Sequence, residues 1–560
     1  MSAGLTVLIL GGYGTFGERL AELLAPDGRL TLVIAGRSKE RAQQFCDRLG
    51  GKARKIPLAL DRKDGLTGLG RPAPDIVVDA TGPFQAYGEA PYRIVENCID
   101  RGIAYIDLAD GSAFVEGIGR FDDAARMRNV FVLSGASSFP LLTAAVVREL
   151  SRGMDRIDTI AAGIAPSPYA GVGLNVVRAI ASYAGKPVAL TRDGTKAAGH
   201  ALTETLRFTI APPGRLPLRN TLFSLVDVPD LRVLPTLWPE LRSVWMGAGP
   251  VPEVLHRALI GLAWLVRLKM LPSLAPFAGL FHRVINVLRW GKHRGGMFVR
   301  VTGTDADGPL ERSWHLLAEG DDGPLIPSMA AAAIVARCLD GRRPASGARS
   351  AARDLDLADY TALFASRTIH TGIRDQRSGQ KAPTLYRRIL AGALDDLPGT
   401  IRALHALDRP MTAKGRAEIE RGSGLLARLA AAIIGFPAAG SDIPVEVRFD
   451  PQHGRETWRR TFAGKSFSSI QEEGTGRSAH LLVERFGPLS FAMAVLVEGG
   501  KLRLVLRRWS IFGIPMPLWL APNSSAFETE VAGRFRFHVE IGHPLTGLIV
   551  RYRGWLEPEG

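Results

Sequence analysis

Residues 5–24 read LTVLILGGYGTFGERLAELL, and the way this stretch divides decides the fold. Leu5–Leu10 is an unbroken apolar run without alternation, the pattern of a strand buried on both faces of a parallel sheet. Gly12, Gly14 and Gly17 then stand in G-x-G-x-x-G register, and from Phe16 onward Leu20, Leu23 and Leu24 recur at helical spacing. The order is strand, turn, helix. In such a corner the first glycine permits the tight turn, the second lets backbone approach a pyrophosphate, and the third lets helix and strand pack closely. Thr15 and Phe16 open the helix, whose first amides face an anion. On the motif alone, a glycine-rich turn without a binding role stands as the alternative.

The next segment decides between them. Residues 30–35 (LTLVIA) form a second apolar run, ending where an NAD site places its ribose-binding carboxylate, roughly 20 residues past the glycines. Ala35, Gly36, Arg37 and Ser38 stand there instead. A guanidinium matches a phosphate with two parallel charge-assisted bonds, whereas a carboxylate repels it. Arg37 and Ser38 therefore predict NADP(H) over NAD(H); the plainer reading of Arg37 is a surface arginine in an arginine-rich chain.

Further apolar runs at 56–60, 76–80, 104–106 and 130–133, with helix-like stretches at 39–49, 90–101 and 120–128, keep the rhythm of a doubly wound α/β fold. Residues 1–150 thus read as a Rossmann domain. Ligands in such folds sit beyond the carboxyl ends of the strands. Thr81 and Gly82, in DATGPFQAYG (79–88), belong beside the nicotinamide half with Pro83 and Phe84, and AYIDLAD (104–110) brings Asp107 to the same edge. SGASSFP (134–140) adds small hydroxylated residues.

Together GGYGTFG, AGRS, DATGPFQAYG, the Cys98-containing helix and YIDLAD resemble the NADP-binding domain of the saccharopine dehydrogenase-like reductases. The resemblance covers at least residues 5–150. It implies an NADPH-dependent oxidoreductase with an interrupting α/β domain used for substrate binding and for pairing of subunits. Two departures matter. Where many relatives carry YxDLTGE, this chain has Tyr105, Asp107, Leu108, Ala109, Asp110 and Gly111, so the glutamate is missing. Nor does any patch match the amino-diacid site of true saccharopine reductases, which argues against saccharopine itself.

A hydride needs only positioning, but the accompanying proton needs a donor within hydrogen-bond reach. Tyr87, Asp107, Asp110, Ser137 and Ser138 are the candidates, with Tyr87 and Asp107 foremost. A packing role for Tyr87 and a loop-bracing role for Asp107 are the alternatives. No Tyr is followed four residues later by Lys, so the short-chain dehydrogenase pair is absent. Cys46, Cys98 and Cys338 are far apart and form neither a metal-ligand spacing nor a disulfide framework, as in a reducing compartment. No metal is expected.

With 560 residues, 46% of them hydrophobic, the chain has room for about three to four domains. The N-terminus lacks a basic region ahead of its apolar run, so a cytoplasmic location is expected. The formal net charge of +15 is spread through all segments and brings no nucleic-acid module with it, so no nucleic-acid partner is expected and a small-molecule substrate is.

Residues 151–340 read as an α+β substrate or dimerisation domain, with MFVRVTGTDADG and RSWHLLAEG as two strands that pair, and GPLIPSMAAAAIVARCL as a helix returning to the Rossmann core. Within it, 252–290 is rich in Leu, Trp and Phe but broken by Arg257, Arg267, Lys269, Pro272 and Pro276, which argues against a spanning helix of ~20 apolar residues. It reads as an amphipathic lid over an apolar pocket, as a peripheral membrane contact, or as a buried hairpin or homodimer contact. Residues 341–384 read as a linker region, two polar stretches flanking a short helix, with a boundary near Gln376.

Beyond it, 385–407 and 417–434 look helical, and the period then changes to two. In 534–541, Phe535, Phe537, Val539 and Ile541 alternate with Arg534, Arg536, His538 and Glu540, predicting an antiparallel sheet with one covered face. Trp458, Arg459, Arg460 and Phe462 read either as a ligand mouth or, by preference, as a strand with alternating exposed cations. This C-terminal β-rich α+β domain (385–560) resembles a domain of unknown function attached to saccharopine dehydrogenase-like reductases, on RGSGLLARLAAAIIGFP, ETWRRTFAGKSF and the RFRFHVEI to GLIVRYRGWL ending. The whole is thus expected to be an NADPH-dependent reductase acting on an unidentified, apolar or lipid-like substrate, or alternatively an NADP(H)-binding regulatory or scaffold protein without turnover.

Overall fold

The computed structural model describes residues 4–67, 69, 73–377 and 382–559. It divides into two compact units, residues 1–208 with 221–370, and residues 209–220 with 371–560.

The first unit opens with β1 (Leu5–Leu10), α1 (Thr15–Leu24), β2 (Leu30–Gly36), α2 (Lys39–Arg48), β3 (Arg54–Ala59), β4 (Ile76–Asp79), α3 (Arg93–Asp100) and β5 (Ala104–Asp107). Next come α4 (Ser112–Gly117), α5 (Asp122–Met127), β6 (Phe131–Ser134) and α6 (Thr143–Leu150). The parallel sheet runs β6-β5-β4-β1-β2-β3, so strand order reverses between β1 and β4. Val7, Leu8, Ile9, Ile76, Val77 and Val78 are wholly buried, which explains why these strands show no polar face.

The interrupting domain contains β7 (Arg156–Ala165), α7 (Leu174–Tyr183), the hairpin β8 (Pro187–Arg192) and β9 (Thr195–His200), β10 (Thr205–Phe208), β11 (Thr221–Leu225), α8 (Asp230–Leu237) and β12 (Ser243–Ala248). After them stand α9 (Glu253–Arg267), α10 (Ala278–Val287), β13 (Arg294–Asp305) and β14 (Gly308–Glu319). Its mixed sheet runs β10-β11-β12-β7-β13-β14, with the expected β13–β14 pairing from Arg294↔Glu319 to Asp305↔Gly308. Helix α11 (Ile326–Leu339) is apolar all round and buried almost throughout, and it packs on α1, where Ser328 Oγ donates to Phe16 O at 3.0 Å.

The linker expectation for 341–384 is corrected, apart from the short helix expected within it. β15 (Gly347–Ser350) adds a seventh, parallel strand beside β6, and α12 (Leu357–Ala365) follows with a capping box at Asp356 and Asp359. The polar residues that suggested a linker are tied down: Arg349 pairs with Asp354, and Arg148 donates to Ala352 O. The chain leaves the first unit within β16 (Ile369–Arg377), close to the expected boundary, while the inclusion of 209–220 in the second unit had no signal in the sequence.

The second unit contains α13 (Leu385–Leu390), α14 (Gly399–His405), β17 (Met411–Arg421), α15 (Leu425–Ile434), β18 (Gly440–Gln452), β19 (Arg455–Phe462), β20 (Lys465–Glu473) and β21 (Leu482–Phe486). It continues through β22 (Leu489–Glu498), β23 (Lys501–Ile511), β24 (Ile514–Met516), β25 (Asn523–Val531), β26 (Arg534–His543) and β27 (Gly547–Pro558). Each strand from β17 onward, β24 apart, pairs antiparallel with the next, and β27 pairs back onto β17. The result is a closed up-and-down barrel, in which the one covered face expected of the antiparallel sheet is the interior. Alternation along a strand is the same in an open sheet as in a barrel, and only the β17–β27 pairing, more than 100 residues apart in sequence, closes the cylinder.

Three local expectations change with it. Residues 411–421 form a strand instead of the start of a helix, because Ala413, Gly415, Ala417 and Ile419 alternate with charged residues, a period hidden by the small side chains. The single helix at 385–407 is two, separated where Ala391 takes φ 45° and Pro398 follows. Arg459 is exposed, but Trp458, Arg460 and Phe462 line the barrel interior, so the strand of alternating exposed cations is replaced by an inward-facing guanidinium.

Candidate dinucleotide site

The crevice lies at the carboxyl ends of β1 and β4, the point where strand order reverses and where open α/β sheets take their ligands. The turn after β1 is built on Gly11, whose φ is +70°; the tight-turn role expected of Gly12 belongs to its neighbour. Gly17 is required for closeness: a β-carbon there would lie 2.2 Å from Gly11 O. The N-terminus of α1 carries no side-chain cap at Gly14, which leaves its first amides directed at the crevice. These features form a backbone cradle of the kind a pyrophosphate requires, with Gly12, Gly14, Thr15, Phe16 and Gly17 around it.

At the end of β2, Arg37 is exposed and makes no ion pair among the described residues. Ser38 is already engaged: it caps α2 by accepting from Arg41 N at 3.2 Å, donates its hydroxyl to Glu40 at 2.8 Å, and gives its amide to Tyr13 Oη at 2.9 Å. The Arg41 guanidinium stacks 4.9 Å from the Tyr13 ring. Tyr13, inside the glycine motif, thus fixes the loop that presents Arg37.

At the end of β4, Asp79 is buried and collects its neighbours. Thr81 gives it both amide (3.0 Å) and hydroxyl (2.6 Å), and Tyr87 Oη lies 2.6 Å from Thr81 Oγ1 and 3.3 Å from each carboxylate oxygen. The Arg62 guanidinium stacks 3.4 Å from the Tyr87 ring and donates to Tyr87 O. Burial, followed by the Asp79 charge, pushes the Tyr87 phenol well above its ordinary value. Phe84, Phe114 and Tyr92 extend this ring cluster, with centroids 4.6–5.7 Å apart.

Asp107 pairs in register with Asp79, but its side chain is wholly inaccessible. One oxygen accepts from Ala109 N (2.9 Å), Gly135 N (2.8 Å) and Ser134 Oγ (3.0 Å), while the other, buried, has no partner among the described residues. Burial pushes its carboxyl up to about 7. This is the geometry of a brace that holds the loops after β5 and β6. Ser138 is buried as well, and Ser137 is half-buried.

Sequence reasoning missed a strap from the interrupting domain. Arg19 donates to Ala170 O at 2.8 Å, a side chain at Gly173 would press on Thr15 Oγ1 at 3.2 Å, and Asn175 donates to Gly82 O at 3.1 Å. Residues 170–175 thus run from the glycine turn to the Thr81–Gly82 loop. Asp227, which accepts from Ser112 Oγ at 2.7 Å, stands near Asp110, which takes a hydrogen bond from Gln85 at 3.2 Å. Burial pushes the Asp110 carboxyl up, and Tyr183 of α7 feels both charges. Only the tertiary fold brings Asp227 and Tyr183 to Asp110.

Comparison with known proteins agrees with this geometry. Residues 7–131 match the saccharopine dehydrogenase NADP binding domain, and residues 397–556 match DUF4166, a domain of unknown function. A saccharopine dehydrogenase-like oxidoreductase of Rattus norvegicus is 26% identical over 152 residues, covering 24% of this chain and 35% of that protein. A lipid droplet localized protein of Caenorhabditis elegans is 26% identical over 147 residues, covering 24% and 34%. The matched part is thus about a third of either relative. Among solved structures, apo saccharopine dehydrogenase (L-Glu forming) from Saccharomyces cerevisiae superposes with a TM-score of 0.47 at 14% identity, over 67% of this chain and all of that one.

Proposed function

We infer that this chain, which carries a saccharopine dehydrogenase NADP binding domain at residues 7–131 and a DUF4166 domain at 397–556, is an NADPH-dependent oxidoreductase acting on an apolar, lipid-like substrate. The observation that carries the reading is the join of an uncapped α1 N-terminus to Arg37, unpaired among the described residues, one strand away, the two ends of an adenosine 2′-phosphate pyrophosphate. When bound there, NADPH supplies the hydride.

The chain's own residues do the rest. Thr81 and Gly82 border the nicotinamide end, and Asn175 fixes the Gly82 carbonyl. Tyr87 keeps its proton on Oη, since burial and Asp79 oppose ionisation, until the anion left by hydride addition takes it. Asp107 acts as a positioning residue. The rings of Phe84, Phe114 and Tyr92 favour an apolar acceptor, and the carboxylates of Asp110 and Asp227 repel a polyanionic amino diacid. Helices α9 and α10 and the connection between them expose Val254, Trp264, Leu268, Met270, Leu280 and Val287, which fits contact with a membrane or lipid surface better than a buried hairpin. No described helix is long and apolar enough to cross a membrane. The buried free thiols Cys46, Cys98 and Cys338 suit the cytoplasm.

The test is to identify by mass the small molecule that copurifies with the chain and to offer it back with NADPH. Oxidation of NADPH in step with reduction of that molecule is expected. NADPH binding without oxidation would favour the rival reading, an NADP(H)-dependent regulator.

A further inference from the structure

The barrel of the second unit is hollow. Its cavity of about 180 Å3 is walled by inward-facing side chains such as Val447, Phe449, Trp458, Phe491, Leu504 and Phe537. Apolar cavities of ~150 Å3 already take up benzene. Closed barrels with apolar interiors are ligand containers.

The two ends differ. Strands β17, β19, β21, β23 and β26 all run towards one end, so the connections 422–439, 463–464, 487–488, 512–522 and 544–546 share it. The opposite end is plugged by α13 and α14: Arg388 donates to Gly454 O at 2.6 Å and Thr400 to Glu530 at 2.7 Å. On the unplugged rim, Leu425 is 83% exposed, Phe512 81%, Leu545 78% and Trp519 76%. Large apolar groups gathered at one end of a barrel mark an entrance from an apolar phase.

The floor carries the polar groups. Arg460 is satisfied by Glu484 (2.9 Å) and Ser469 Oγ (2.8 Å), and Tyr386 Oη donates to Gln471 at 3.0 Å. One acceptor on the cavity wall remains over. His405 is wholly buried with Nε2 against Glu528, so with the proton there its Nδ1 presents an unpartnered lone pair. Buried acceptors without donors call for a ligand that donates. Glu484 and Glu528 outnumber the Arg460 guanidinium on the cavity wall, which disfavours an anionic head group.

We propose that the C-terminal barrel binds one aliphatic chain ending in a hydroxyl, a long-chain alcohol or a hydroxyl-bearing acyl lipid, with the head at His405 and the tail towards the Phe512–Trp519 rim. The site is independent of the dinucleotide crevice and of the reaction inferred there.

Equilibrium dialysis of the full delipidated chain against dissolved dodecanol and dodecanoate tests it. Saturable binding of one dodecanol per chain is expected, about tenfold or more tighter than dodecanoate. Ala526→Trp, which fills the cavity, abolishes binding, and His405→Phe removes the preference for the alcohol; unchanged NADPH affinity and far-ultraviolet dichroism verify folding in both. Uptake of dodecanol from phosphatidylcholine vesicles slows in a Phe512→Ser, Trp519→Ser variant whose affinity for dissolved dodecanol is unchanged. Absence of saturable binding, or binding that survives Ala526→Trp, would overturn the cavity. Tighter binding of dodecanoate would overturn the head-group assignment, and equal vesicle rates would overturn the rim as entrance.

Discussion

Tyr87 Oη stands 3.3 Å from both carboxylate oxygens of Asp79, with the Thr81 hydroxyl wedged 2.6 Å from each residue. The buried carboxylate orients the phenol and keeps it protonated, which is what a donor at this edge needs. Tyr87→Phe removes the proton and leaves the ring stack on Arg62 and Phe84 in place. Turnover of the copurifying substrate is expected to fall by ~10²-fold or more with NADPH affinity nearly unchanged. Stopped-flow NADPH oxidation with a parallel binding titration measures both; unaltered turnover would remove Tyr87 from proton transfer.

Arg37 is the residue expected to set cofactor choice. A charge-assisted hydrogen bond is worth about 1.5–3 kcal/mol. Arg37→Ala is therefore expected to weaken NADPH by roughly 10- to 100-fold while NADH affinity stays level. Fluorescence titration of both cofactors reads the ratio, and parallel losses for the two would refute the assignment.

Gly17 tolerates no side chain. A β-carbon 2.2 Å from Gly11 O forces β1 and α1 apart. Overpacking of this kind costs about 1–3 kcal/mol. Gly17→Ala should lower the unfolding temperature of the first unit and abolish NADPH binding, both visible by scanning fluorimetry with and without cofactor.

Asp107 makes stability pH-dependent. Its carboxyl is pushed up to about 7, above the ordinary value near ~4, so between these limits the folded chain holds a proton that the unfolded chain has lost. Stability from this group is therefore fully present at the acid end and falls as pH rises towards about 7, by up to ~1.4 kcal/mol per pH unit. Asp230, also pushed up to about 7 by burial, adds a slope of the same sign. Asp107→Asn should lessen the decline of the unfolding temperature across this window; a slope identical to that of the parent would exclude titration of Asp107 there.

Helices α9 and α10 and the connection between them carry the membrane prediction. Sedimentation with anionic liposomes at low salt should bring the chain into the pellet, and Leu268→Glu with Met270→Glu should return it to the supernatant. If instead the parent stays in solution and sediments as a dimer that these substitutions split, the exposed face is a subunit contact.

Much of the dinucleotide crevice was legible in the chain because its chemistry is local. The Gly12–Gly14–Gly17 register, the Arg37 that follows β2 and the apolar runs of β1 to β6 are each defined within a few residues, and an α/β fold with a fully buried sheet has to write them that way. Residues 170–175, Asp227 and Tyr183 were not legible, since nothing in their own neighbourhoods marks them as part of a crevice.

The amino-acid sequence by itself determined the parallel sheet, the cradle for a phosphate and the alternating strands of the C-terminal part, because periodicity and backbone freedom are properties of short segments. The tertiary structure alone decided that β15 joins the first sheet, that β17 and β27 close a barrel, and that Asp107 is a sealed brace. Strand pairing across many residues and the exclusion of water from one carboxylate depend on which distant segments meet, and no local pattern records that.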